Sequence, residues 1–265
     1  MRRLVFAIGL LFAATPVFAK MQAKPVEWSV GQERFSGYVV YDDAAKAKRP
    51  GLVMVPNWMG VTDDAVARAK AIAGDDYVVL VADVWGKGKQ PKDSAEAGKF
   101  AGALRGEDRG PLRARIEAAL ATLKAQAGKA PLDASKLGAF GFCFGGSTVL
   151  ELARSGADVA GVVSLHGGLA PGTKSQTAAS IKAPVLVLNG ADDKATPDAD
   201  ILAFEKEMDA ARADWQFVDF SGAVHCFAEP SAGNDPASNC RYDARAAKRA
   251  YRMMDDFFRE RFAAK

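Results

Sequence analysis

The chain has 265 residues, nearly half of them hydrophobic, and 35 Lys and Arg against 32 Asp and Glu give it a formal charge of +3. That balance excludes the strongly basic surface that nucleic acid or an anionic membrane would call for. The length is enough for one large domain with a substantial core.

At the N-terminus, Arg2 and Arg3 precede an apolar run from Leu4 to Phe12, and Val17-Phe18-Ala19 has the form of a signal-peptidase site. Residues 1–19 are therefore expected to be an export signal, which makes the protein periplasmic or secreted. The apolar run is too short for a permanent bilayer span, although an uncleaved tether is the alternative. The remaining 246 residues carry 33 basic and 32 acidic side chains and contain no further apolar run of membrane-spanning length. They are expected to form a single soluble α/β domain, residues 20–265, with no stable membrane association.

Short apolar, β-rich runs then alternate with helical segments, the pattern of a mostly parallel sheet covered by helices on both faces. The expected strands are 34–41, 51–55, 77–82, 136–141, 159–165, 184–189 and 215–220. Thr62 is the expected N-cap of a helix over 63–73, with Asp63 and Asp64 in its first turn. Further helices are expected over 108–125, 144–154, from Pro197 to Arg212, and over 242–262. In sheets of this kind, ligands bind beyond the carboxyl ends of the strands, so chemistry is sought in the loops that follow them.

The strand at 136–141 leads into Gly141-Phe142-Cys143-Phe144-Gly145-Gly146. This matches a strand–turn–helix nucleophile elbow with cysteine in the place usually held by serine. Side chains at the glycine positions would collide with the neighbouring strand and helix. The helix that begins at Phe144 puts the Cys143 sulfur at its positive end, which favours the thiolate. A buried structural cysteine in a Gly-rich turn is the other reading of the same residues.

A nucleophile needs a base, and the base an orienting acid. After elbows of this type the chain order is nucleophile, acid, histidine. Gly190-Ala191-Asp192-Asp193-Lys194-Ala195-Thr196-Pro197 follows the strand at 184–189, and Gly222-Ala223-Val224-His225-Cys226-Phe227 follows the strand at 215–220. The Gly-x-x-Asp-x-x-x-Pro spacing selects Asp193 as the acid and leaves Asp192 as a turn residue. Of the two histidines, His225 has the right order. His166 precedes the acid, so it is expected to line the pocket or to hydrogen-bond the backbone. The oxyanion hole is expected to combine the Phe144 N–H with that of Trp58, in the loop Pro56-Asn57-Trp58-Met59-Gly60. The site requires no metal or cofactor.

These residues resemble the dienelactone hydrolase family of α/β-hydrolases, from the Asn57-Trp58-Met59-Gly60 loop through the Gly-x-Cys-x-Gly elbow to the histidine loop and the last helix. The resemblance implies the α/β-hydrolase fold, a Cys143–His225–Asp193 triad, an acyl-enzyme intermediate and a small ester or lactone substrate. It also marks two departures. Dienelactone-cleaving members carry a glutamate at the position of Asn57, where it helps ionise the thiol; asparagine cannot accept that proton. They hold the substrate carboxylate with two arginines, where this chain has Lys87 and Glu229. Lys87 supplies a point charge rather than a fork, and Glu229 is expected to repel a carboxylate.

An odd cysteine count in an oxidising compartment leaves at least one thiol free or bridged between molecules. Cys226 and Cys240 flank a Pro/Gly/Ser/Asn-rich loop and are expected to pair, leaving Cys143 free; two unpaired thiols are the alternative. Two other functions fit the composition. One is a catalytically weak binding protein that retains the fold. The other is an envelope thiol-redox protein, against which stands the absence of a C-x-x-C pair.

Overall fold

The computed structural model describes residues 21–172 and 181–264; the expected export signal lies outside them. Eight strands form one sheet in the order β1-β2-β4-β3-β5-β6-β7-β8. They are β1 (Met21–Val30), β2 (Glu33–Asp42), β3 (Arg49–Val55), β4 (Val78–Val81), β5 (Leu132–Phe142), β6 (Val162–Leu165), β7 (Val185–Gly190) and β8 (Trp215–Phe220). All pairs from β4 to β8 run parallel, whereas β1–β2 and β2–β4 are antiparallel. All seven expected strands are present, with ends shifted by a few residues.

The central strands are continuous apolar runs because both of their faces are covered. In β3, Val53 and Val55 point into one core, with Leu112 and Ile116 of α3 (Gly110–Lys124), α4 (Phe144–Arg154) and Phe204 and Met208 of α5 (Asp198–Ala210). Leu52 and Met54 point into the other core, with Ala65, Ala69 and Ala73 of α1 (Asp63–Ala73) and Ala250, Met254 and Phe258 of α6 (Ala244–Ala263). The period-2 alternation of a strand thus feeds two layers at once. Thr62 caps α1 as expected, its side chain accepting from the Ala65 N–H at 3.2 Å.

Two elements differ from the sequence expectation. β1 reads as polar and contains Pro25; it is an edge strand, where a proline costs no ladder bond on the solvent side. It folds back on β2 through the two-residue loop Gly31-Gln32, with Gly31 at φ +56°. The second is α2 (Ser94–Leu104), capped by Asp93, whose side chain accepts from the Glu96 N–H at 2.8 Å while Glu96 accepts from the Lys92 N–H at 2.8 Å. Among the described residues, no helix is long and apolar enough to cross a membrane.

Candidate active site

The site lies at the carboxyl ends of β3, β5, β7 and β8. Cys143 stands between β5 and α4 at φ +51°, ψ −113°, a strained conformation for a residue with a Cβ. The glycines around it are required by contact. A Cβ on Gly141 would lie 2.2 Å from the Gly145 carbonyl oxygen, and one on Gly145 would lie 2.0 Å from that of Val55. The elbow is thus pressed against both the first turn of its own helix and the end of β3, and Cys143 remains 8% exposed.

His225, in the loop after β8, sits with Nδ1 2.7 Å from Oδ2 of Asp193, in the loop after β7. Asp193 is fixed in turn: its Oδ1 accepts from the Ala195 N–H at 2.8 Å and from Asn239 Nδ2 at 3.1 Å. Burial alone would lower the His225 pKa, but hydrogen bonds and charge from Asp193 and Cys143 outweigh it and raise it to about 10. Burial would also raise Asp193, yet the His225 partnership and the Ala195 and Asn239 bonds hold it below its ordinary value. The structure therefore places the ionised Asp193 carboxylate behind the His225 imidazole, with Cys143 on the other side of the ring.

Cys226 and Cys240 are joined, 14 residues apart in sequence, and Cys143 is the free cysteine. The bridge has a local role. It ties the loop after β8 to Asn239, which also accepts from the Lys194 N–H at 3.1 Å. Asn239 was not singled out from the sequence; its place immediately before a bridged cysteine is the one signal that marks it.

A cavity of about 770 Å³ opens over Cys143, lined by Asn57, Trp58, Met59, Arg105, His225 and Glu229 among others. In its wall, Met59 N–H donates to Asn57 Oδ1 and Gly60 N–H to the Asn57 carbonyl, each at 3.0 Å. Both bonds shape the turn while leaving the Trp58 amide out of it. The Phe144 amide is at the first position of α4, where a helix has no internal acceptor to offer. Of the two amides expected in the oxyanion hole, that of Trp58 lies in the loop after β3 and that of Phe144 at the start of α4.

Three expectations about the pocket need correction. Of the two roles expected of His166, the pocket lining is not met but the backbone bond is: the ring is fully buried behind the elbow, where its Nδ1 accepts from the Cys143 N–H at 3.1 Å. Burial first, then the nearby His225 charge, push its pKa well below the ordinary histidine value. Lys87 also lies outside the cavity. Its backbone N–H donates to the Arg34 carbonyl at 2.7 Å, which lays the segment along β2 and lets its ammonium pair with Glu27 on the surface. Glu229, finally, is not a bare negative charge. Only 1% exposed, it accepts from Arg68 Nη1 at 2.7 Å and from Asn57 Nδ2 at 2.6 Å. Arg68 lies 161 residues away in the chain, on α1, and nothing local in the sequence pairs the two. The second arginine of the cavity wall is Arg105, stacked 5.1 Å over the Phe144 ring. Among the described residues, no group of three or more His, Cys, Asp or Glu is arranged to hold a metal ion.

The comparisons with known proteins agree with this geometry. The sequence model of the dienelactone hydrolase family matches residues 35–262. The solved structure named m3DLH superposes with a TM-score of 0.85 at 36% identity, over 91% of this chain and 99% of that one. A dienelactone hydrolase-like promiscuous phosphotriesterase from metagenomic libraries gives 0.83 at 36% identity, over 92% of this chain and 100% of that one. An uncharacterized Caenorhabditis elegans protein is 36% identical over 58% of this chain and 96% of its own length. The human carboxymethylenebutenolidase homolog is 29% identical over 60% of this chain, an alignment that spans 62% of the human protein. The chain belongs to the dienelactone hydrolase family of α/β-hydrolases and is a carboxylic-ester hydrolase.

Proposed function

We propose that the protein cleaves a small carboxylic ester or lactone through a Cys143–His225–Asp193 triad and an acyl-enzyme intermediate. The observation that carries this reading is His225, whose ring connects Asp193 at 2.7 Å on one side with Cys143 on the other. The Cys143 thiolate attacks the carbonyl carbon, forming the C–S bond, while the carbonyl π pair moves to oxygen. The Trp58 and Phe144 amides stabilise that oxyanion. As the oxyanion collapses, the ester C–O bond breaks and the imidazolium of His225 gives its proton to the departing alkoxide. In the second half, neutral His225 takes a proton from water, the hydroxide attacks the thioester, and the carboxylic acid product leaves as the thiolate–imidazolium pair is restored. Asp193 holds the ring in place throughout and does not itself take up the proton.

The test is intact-protein mass analysis after brief mixing with p-nitrophenyl acetate. The expected result is a single acetyl adduct that maps to Cys143 and is absent from Cys143→Ala. An adduct on another residue, or turnover undiminished in Cys143→Ala, overturns the triad. A thiol-redox role is disfavoured because Cys226 and Cys240 are already spent on each other. A binding-only role is disfavoured by the strained cysteine and its oriented base. The bridge also supports export of the protein, since such bonds persist in oxidising compartments. N-terminal sequencing of protein recovered from the periplasm should then begin at Lys20; a retained Met1 overturns the export reading.

A further inference from the structure

Behind the elbow, two fully buried polar atoms face each other without partners. They are Nε2 of His166 and Oε1 of Glu229, 3.8 Å apart. His166 Nδ1 accepts from the Cys143 N–H, so the proton of the neutral ring resides on Nε2. A buried N–H donor and a buried carboxylate oxygen therefore stand about 1 Å beyond hydrogen-bonding distance. The other oxygen of Glu229 is occupied by Asn57 Nδ2 at 2.6 Å and Arg68 Nη1 at 2.7 Å. Asn57, in turn, builds the turn that presents the Trp58 amide.

We propose that Glu229 is a positioning residue that couples the nucleophile elbow to the loop carrying the second oxyanion-hole amide. The coupling runs from the Cys143 amide through His166, Glu229 and Asn57 to the Trp58 turn. It rests on the triad reading above. More than a charge pair is arranged here, since arginine–carboxylate pairs are frequently forks on both oxygens. Here Arg68 takes one oxygen, shared with Asn57, and the second is aimed at His166. When Glu229 closes on His166, the Asn57 turn and the elbow are fixed relative to each other, and so is the separation of the Trp58 and Phe144 amides. Transition-state charge is stabilised only if both donors reach the same oxygen. Arg68, held 4.7 Å over the Phe142 ring, meets Glu229 at the oxygen it shares with Asn57 and not at the one that faces His166.

The test compares two reagents on the full-length mature protein. An alkyl trifluoromethyl ketone adds to the Cys143 thiolate, its carbonyl π pair moving to an oxygen that needs both amides. Iodoacetamide alkylates the same sulfur with loss of iodide and creates no oxyanion. For Glu229→Gln, the affinity for the ketone and kcat should fall together by about tenfold or more, short of the hundred- to thousandfold loss of a whole donor. KM and the alkylation rate should stay within about twofold, and alkylation stoichiometry counts the folded sites. Equal losses in both reagents, or none in either, overturn the proposal. If Glu229→Gln does not fold, Asn57→Ala, His166→Phe and their double variant decide. These two residues belong to opposite ends of the chain of contacts, so coupled losses in ketone affinity are expected, and strictly additive losses overturn the coupling. Failure of the parent protein to form any Cys143 adduct would instead overturn the triad.

Discussion

Removing the Cys226–Cys240 bridge by the double change Cys226→Ser and Cys240→Ser separates its two contributions. The first is to stability. The bridge closes a loop with a sequence separation of 14, for which the loss of chain entropy in the unfolded state corresponds to about 3 kcal/mol. For a chain of this size each kcal/mol moves the melting temperature by about 2–4 °C, so a drop of about 6–12 °C is expected. The second is to the site. Asn239 precedes Cys240, and its Nδ2 donates to Asp193 at 3.1 Å. Freed from the bridge, the loop releases that bond, whose net value of about 0.5–1.5 kcal/mol amounts to about a two- to tenfold loss in kcat/KM. Thermal unfolding by circular dichroism and ester hydrolysis well below the transition measure the two effects apart. Asn239→Ala should reproduce the kinetic loss without most of the thermal one. A double variant that melts with the parent, or an Asn239→Ala variant that melts as low as the double variant, would refute this division of roles.

Other perturbations test the rest of the site. His225→Ala should reduce acyl-enzyme formation by about a thousandfold or more, measured by the burst of p-nitrophenol, and His166→Ala by much less; the reverse ranking would reassign the base. Because burial depresses His166 in the folded state, the unfolded chain binds one more proton once pH falls below the ordinary histidine value near 6.5. Stability should therefore decline from pH 6.5 downward, by about 1.4 kcal/mol per unit for this one group, and denaturant titrations should show a shallower slope for His166→Phe. Gly145→Ala should yield no soluble active protein, since its Cβ would overlap backbone oxygens at 2.0 and 2.5 Å; an active soluble variant would show the elbow to be looser than drawn. Lys87→Ala should leave kcat/KM within about twofold for neutral and anionic esters alike, because its charge is engaged with Glu27 at the surface.

Much of this site was legible because its parts obey local rules. The elbow could be read from its glycines, the Asp193–His225 pair from its order after β7 and β8, and the cysteine pairing from the loop that Cys226 and Cys240 flank. The helices α1 and α4 start and stop where the sequence places them, since a Thr cap and a glycine-flanked turn are local signals. What escaped depends on distance along the chain. Arg68 meets Glu229 only because α1 packs beside the histidine loop, so the charge on Glu229 was misjudged from its sequence neighbours. Lys87 was assigned to the pocket by register with relatives, but the path of its backbone along β2 turns it toward Glu27. β1 was missed because an edge strand is not required to be apolar on both faces, and α2 because its apolar stripe is made largely of alanine.

The helix that follows Cys143 is buried along its entire length, Phe144 to Arg154. Its far end is fastened rather than frayed. Arg154 donates to Glu151, to both oxygens of Glu207 on α5 and to the Leu169 carbonyl, while Arg113 of α3 holds the second oxygen of Glu151. An α-helix is stiff along its axis, and eleven residues span about 16 Å. The Cys143 sulfur thus sits at one end of a short strut bolted at the other to two neighbouring helices. Sliding along that axis would break the four charge-assisted bonds that leave the helix, so displacement of the elbow is resisted from a point outside the cavity. Changes at Arg154, remote as they are, should register as a softer nucleophile rather than an altered pocket.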